Sequence, residues 1–138
     1  MQSSLVRMTH EDHSRVGRVV RVMGTRDAEL RRSTNELRER LERATLYASE
    51  AIPPDVVTMG STVRFRDLED RKSFEYTVVY PGEADITRGR ISVLAPLGAA
   101  LLGSREGQEA QVDTPAGSRR IRVERVVSQP EREMLRIS

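Results

Sequence analysis

The sequence predicts an α+β protein: an N-terminal antiparallel helical hairpin, a short coiled coil, followed by an antiparallel sheet with one short helix. Three observations predict it. Pro53-Pro54 breaks the chain in two, because successive prolines cannot continue a helix. Ahead of that pair, apolar residues recur at helical spacing; behind it come short β-branched runs punctuated by Gly, Pro and Asp. The expected division is residues 1–52 as a helical arm and residues 53–138 as the main domain. A chain of 138 residues cannot fill two large cores, so the second unit is expected to hold the core and the arm to open first.

The first helix opens at Thr9, which with Asp12 reads as a capping box. Val16, Val20 and Met23 then recur at seam spacing with Val19 beside them, and Gly24 supplies a C-cap. Thr9 to Met23 makes an arm of about 22 Å at a rise of about 1.5 Å per residue. In the second helix Leu30, Thr34, Leu37, Leu41, Ala44 and Ala48 recur at intervals of four and three. Its other face is expected to be wet, with Glu36–Arg40, Arg38–Glu42 and Glu39–Arg43 as i,i+4 pairs. The tip falls at Gly24 to Asp27.

Strands are expected near Thr62–Arg66, Phe74–Val79, Arg90–Val93, Gln108–Asp113 and Arg119–Val127. Pro96 and Gly103 bracket a short buried helix, and Thr114 to Gly117 form a turn. Val63, Phe65, Tyr76, Val78, Ile91, Val93, Leu97, Leu101, Val112, Ile121 and Val123 are the expected core.

Composition excludes several functions. Without cysteine there is no disulfide framework, thiolate metal site or thiol nucleophile, and the chain suits a reducing compartment. No apolar run approaches the roughly 20 residues that span a bilayer, and Met1 to Met8 lacks a signal-peptide core, so a cytoplasmic location is expected with no membrane partner. Net charge is only +2, and all the cationic residues except Lys72 are arginine, a bias that need not signal nucleic-acid binding. A phosphate loop and a nucleophile signature are both missing, and no cofactor is expected.

Val79-Tyr80-Pro81-Gly82-Glu83-Ala84-Asp85, the run Ile91 to Gly103 and Arg105-Glu106-Gly107 resemble the C-terminal domain of the Gre-factor superfamily. Pro54 to Met59, and Ala95 where Gre proteins usually have serine, resemble its Rnk-type branch, named for an influence on nucleoside diphosphate kinase. The resemblance implies an FKBP-like domain that docks on the rim of the RNA polymerase secondary channel, with a coiled-coil arm pointing inward. It implies a transcription regulator, not an enzyme, that meets DNA only through the transcription complex and competes there with Gre factors. Cleavage-stimulating members carry tip carboxylates on an arm roughly twice as long as this one.

By that resemblance Leu94, Ala95 and Pro96 are the candidate polymerase-binding loop, with Glu83 and Asp85 beside it. Pro96 also simply starts a helix, and the two acids also simply end a strand. Asp27 and Glu29 at the tip are either metal-assisting carboxylates of a cleavage factor or ordinary first-turn acids favoured by the helix dipole. Arg119, Arg120, Arg122 and Arg125 would serve a nucleic-acid module, but no aromatic platform accompanies them and a solvated sheet face is the plainer reading. His10 and His13 lack a third metal ligand. Two Phe, three Tyr and no Trp are too few for the aromatic pocket of a prolyl isomerase.

Overall fold

The computed structural model describes residues 5–23, 28–114 and 116–137, without the side chains of 28–30, 136 and 137. In chain order the elements are β1 (Arg7–Thr9), α1 (His10–Met23), α2 (Ala28–Glu42), β2 (Thr45–Tyr47), β3 (Thr62–Asp67) and β4 (Lys72–Val79). They continue with β5 (Arg90–Ser92), α3 (Pro96–Leu101), β6 (Glu109–Thr114), β7 (Gly117–Ser128) and α4 (Pro130–Ile137). The five expected strands and the first and third expected helices are present within two residues of their expected ends; the second helix is present but ends early.

The main sheet has the order β5-β4-β3-β7-β6 and is mixed, not purely antiparallel: β5 runs parallel to β4, with Val79 opposite Ser92. The chain between them forms two 3₁₀ turns, Pro81–Glu83 and Ile86–Arg88, and this crossover returns it in the same direction. Alternation puts Val63 and Phe65 of β3 and Ile121 and Val123 of β7 on the buried face. Phe65, Phe74 and Tyr76 stack on one another with centroids 5.7 to 6.5 Å apart, so these aromatics are spent on sheet packing.

The helix α3 closes the buried face, and its glycines explain its sequence. A Cβ on Gly98 would lie 2.1 Å from the Ser92 carbonyl oxygen, so α3 sits against β5 at a distance only glycine allows. Gly103 has φ of +83°, which turns the chain out of α3 beside Val6.

Three elements depart from the expectations. The second helix stops at Glu42, and Thr45–Tyr47 forms β2, parallel to β1, so Ala44 and Ala48 do not extend the helical seam. Backbone bonds from Thr45 to Val6 and from Arg7 to Gly103 hold this small sheet on the end of α3. Beyond β7 the chain forms α4, anchored where the Gln129 side-chain amide donates to the carbonyls of Pro53 and Val56. Third, one buried cluster crosses Pro53-Pro54: Val16, Val20, Leu37 and Leu41 belong to the same core as Val63, Val93 and Leu101. The Asp55–Arg105 pair, at 2.9 and 3.0 Å, fastens the leader after the prolines to the loop after α3.

Candidate functional site

The site begins where the β4–β5 pair ends. Ser92 folds the loop back on itself: its hydroxyl accepts from Leu94 N at 3.0 Å and its carbonyl from Ala95 N at 3.0 Å. Ala95 is extended, with φ −71° and ψ 151°, and occupies the N-cap of α3 with Pro96 at the first helical position. Proline there loses no hydrogen bond and sets φ for the helix. The Ala95 methyl cannot accept a hydrogen bond, so α3 begins without a side-chain cap.

Ala95 and Pro96 are half-buried at this corner, whereas Leu94 points inward at 2% exposed. Leu94 therefore packs the core and cannot present its side chain to a partner. Its carbonyl accepts a 2.6 Å bond from the buried Ser33 hydroxyl of α2. At the far end of α3, Arg40 of α2 donates to the Leu102 carbonyl and, at 3.3 Å, to the Ser104 hydroxyl. Arg40 is buried, and that burial pushes its pKa down to about 10, with Arg43 adding to the effect. Expected on the wet face, Arg40 instead fastens α2 to α3.

Glu83 is exposed in the first 3₁₀ turn. Asp85 caps the second, accepting from Thr87 N at 3.2 Å and Thr87 Oγ1 at 2.6 Å, with Arg88 at 3.6 Å. Its carboxylate is thus engaged locally. Tyr80 precedes these turns, its ring under the Arg15 guanidinium at 5.1 Å, and burial followed by the nearby Asp12 carboxylate pushes its pKa up to about 12.

The first turn of α1 lies against the last turn of α2, where His13 Nε2 is 2.9 Å from the Leu41 carbonyl oxygen. His13 thus has a packing role, and among the described residues no cluster of His and acidic residues could hold a metal ion. Thr9 caps α1 as expected, its Oγ1 accepting from Asp12 N at 3.0 Å. The box is not reciprocal, because the Asp12 carboxylate accepts instead from Met59 N at 3.0 Å and ties α1 to the main domain. Glu29 lies in α2 with its side chain outside the described residues, and Asp27 falls outside them altogether.

Three of the four clustered arginines of β7 are engaged by carboxylates of the sheet and its turns, while Arg125 is exposed. Arg120 and Arg122 both reach Glu109, at 2.7 and 2.8 Å, and Arg119 meets Asp67 at 2.7 Å and Asp70 at 2.6 Å. These contacts hold the Glu109 carboxyl below its usual range, Arg122 first and Arg120 second.

Sequence reasoning missed Ser33, Arg40 and the Asp12–Met59 link. Ser33 and Arg40 flank the Thr34–Leu37–Leu41 seam, so a wider buried stripe was readable in principle. Their polarity hid it.

Comparison with known proteins agrees with this architecture. The family model described as "Transcription elongation factor, GreA/GreB, C-term" matches residues 52–128. The regulator of nucleoside diphosphate kinase of Escherichia coli (strain K12) is 43% identical over 81 residues, 59% of this chain and 60% of that one. Transcription elongation factor GreA of Hyphomonas neptunium is 38% identical over 93 residues, 67% of this chain and 59% of that one. The chain thus spans about 60% of the length of these relatives. A solved prokaryotic GreA/GreB elongation factor from Nitrosomonas europaea superposes with a TM-score of 0.70 at 34% identity, covering 89% of this chain and 98% of that one. On the match across 52–128, which takes in β3 to β7 and the α3 corner, the chain belongs to the GreA/GreB C-terminal family.

Proposed function

We propose that this chain is a non-enzymatic, cytoplasmic transcription regulator that docks on RNA polymerase at the rim of the secondary channel and competes there with Gre factors. The observation that carries the reading is the family match over residues 52–128, whose Ala95-Pro96-Leu97 corner is half-buried at the head of α3. Ala95 and Pro96 make the contact, Glu83 supplies a polar one, and Asp85 holds the neighbouring turn in shape. Leu94 acts through its backbone, as the link to Ser33. Residues 53–138 serve as the FKBP-like docking body and residues 1–52 as a short coiled-coil arm directed into the channel. The fourteen residues of α1 give that arm about 21 Å.

A second reading, cleavage stimulation through Asp27 and Glu29, draws support from the GreA names among the relatives. Arm length weighs against it. The third, a nucleic-acid module, is weakened by the pairing of Arg120 and Arg122 with Glu109. Pull-down of core RNA polymerase, with and without excess Gre factor, tests the reading. Retention that Gre factor displaces is expected; no retention, or retention indifferent to Gre factor, would contradict it.

A further inference from the structure

A groove of about 590 Å³ runs along α1 and faces the turn after β4. Its walls are Arg15, Arg18, Val19 and Met23 on one side and Tyr80 and Pro81 on the other. The helix positions fall three and four residues apart, so they form one face about two turns long. Both arginines are exposed, and neither has a carboxylate within ion-pair distance among the described residues. Val22, 65% exposed, extends the apolar strip of Val19 and Met23 toward solvent. The groove and the Ala95–Pro96 corner start from the same end of the sheet: Tyr80 and Val93, the latter two residues before Ala95, directly follow the last β4–β5 pair, Val79 with Ser92.

We infer that this groove is a second contact surface for the polymerase, taking a helical segment that carries a carboxylate one turn from an apolar side chain. The inference rests on the proposed docking at the channel rim. A carboxylate pairs with Arg15 and Arg18, and the apolar neighbour lies on Val19 and Met23, as one helix packs on another. Small ligands favour sites that enclose most of their surface, and this groove is open along its length. A nucleic-acid strand fits less well: the Tyr80 ring already carries Arg15, so it is not a free platform for a base, and half the groove is aliphatic.

The test measures affinity of the full chain for core RNA polymerase by fluorescence titration across a salt series. Arg15→Glu with Arg18→Glu should weaken binding by roughly tenfold and flatten its salt dependence, because attraction becomes like-charge repulsion. Arg15→Lys with Arg18→Lys should stay within about threefold of wild type, since point charges persist. Both side chains are exposed, but Arg15 also lies on the Tyr80 ring and faces Asp12, so Arg18→Glu alone, which leaves that contact intact, gives the reading if circular dichroism or the unfolding midpoint of the double variant moves. Binding unchanged in the glutamate variants while substitution at Ala95 and Pro96 abolishes it would overturn the groove and leave the docking corner. A wild-type chain that does not bind polymerase overturns both. A single-stranded RNA oligonucleotide bound by wild type and lost in the variants, with polymerase affinity unchanged, would assign the groove to nucleic acid and also overturn the inference.

Discussion

Replacing Asp12 by asparagine should stabilise the protein at neutral pH and leave it unchanged in acid. Asp12 is 8% exposed, and burial, opposed by the bond from Met59 N and aided by the Glu131 carboxylate, pushes its pKa from 3.8 up to about 6. The groups facing it are Glu11 and Arg15 on α1, Glu131 on α4 and Tyr80 after β4. At about 1.4 kcal/mol per tenfold change in proton affinity, that shift sets the ionised form back by about 3 kcal/mol. The first turn of a helix returns about 0.3 to 1 kcal/mol of it to an anion, which leaves about 2 to 3. A folded-state pKa raised above the unfolded value means that the native protein holds the extra proton, so stability falls as pH rises from 3.8 through about 6 and is level beyond. Asparagine can still accept from Met59 N and carries no charge to bury. Urea unfolding should therefore find Asp12→Asn more stable than wild type by about 2 kcal/mol above pH 7, with the gap closing below about pH 4. A gap that does not change with pH would refute the reasoning, as would a variant less stable than wild type at every pH.

Other consequences concern packing and charge. Gly98→Ala should cost about 1 to 3 kcal/mol or more in thermal unfolding, because its Cβ meets the Ser92 carbonyl backbone at 2.1 Å and neither side can yield cheaply; a midpoint within a degree of wild type would contradict the close approach. Ser33→Ala leaves the Leu94 carbonyl without its 2.6 Å donor and should cost about 1 to 3 kcal/mol, with faster amide exchange at the head of α3 and in α2 together. Exchange that rises in α2 alone would show that the two helices are not coupled there. Arg120→Ala with Arg122→Ala breaks exposed pairs to Glu109 and should change stability by less than about 1 kcal/mol and polymerase binding hardly at all; a large loss of binding would move the docking face to β7.

Periodicity made the elements legible. Val63 and Phe65 alternate with Arg64 and Arg66, and that pattern alone placed β3; Pro96 and Gly103 delimited α3 before any contact was known. The parallel direction of β5 was not legible, because a three-residue strand pairs equally well either way and the 3₁₀ crossover that brings the chain back in the same direction has no hydrophobic period. Strands β1 and β2 were hidden for a similar reason: Thr45–Tyr47 has too few residues to show alternation against a helical background. Of the candidate site, the corner at Ala95–Pro96 was readable as a helix start, but the inward turn of Leu94 depends on α2 lying over it. Ser33 and Arg40 are polar residues buried by partners more than sixty positions away; they flank the α2 seam, but their polarity reads as a solvated face. The expectation that the arm opens first now has a physical counterweight, since Leu37 and Leu41 share a core with Leu101 and Val93.

The most direct test of occupancy without chemistry is a transcript-cleavage assay on stalled elongation complexes with added Gre factor. With α1 about 21 Å long, the chain should not stimulate cleavage by itself and should reduce stimulation by the Gre factor as its concentration rises. Asp27→Ala with Glu29→Ala should leave that competition nearly intact. Cleavage stimulated by the wild type and lost in the double variant would contradict the account and make the tip carboxylates the working residues.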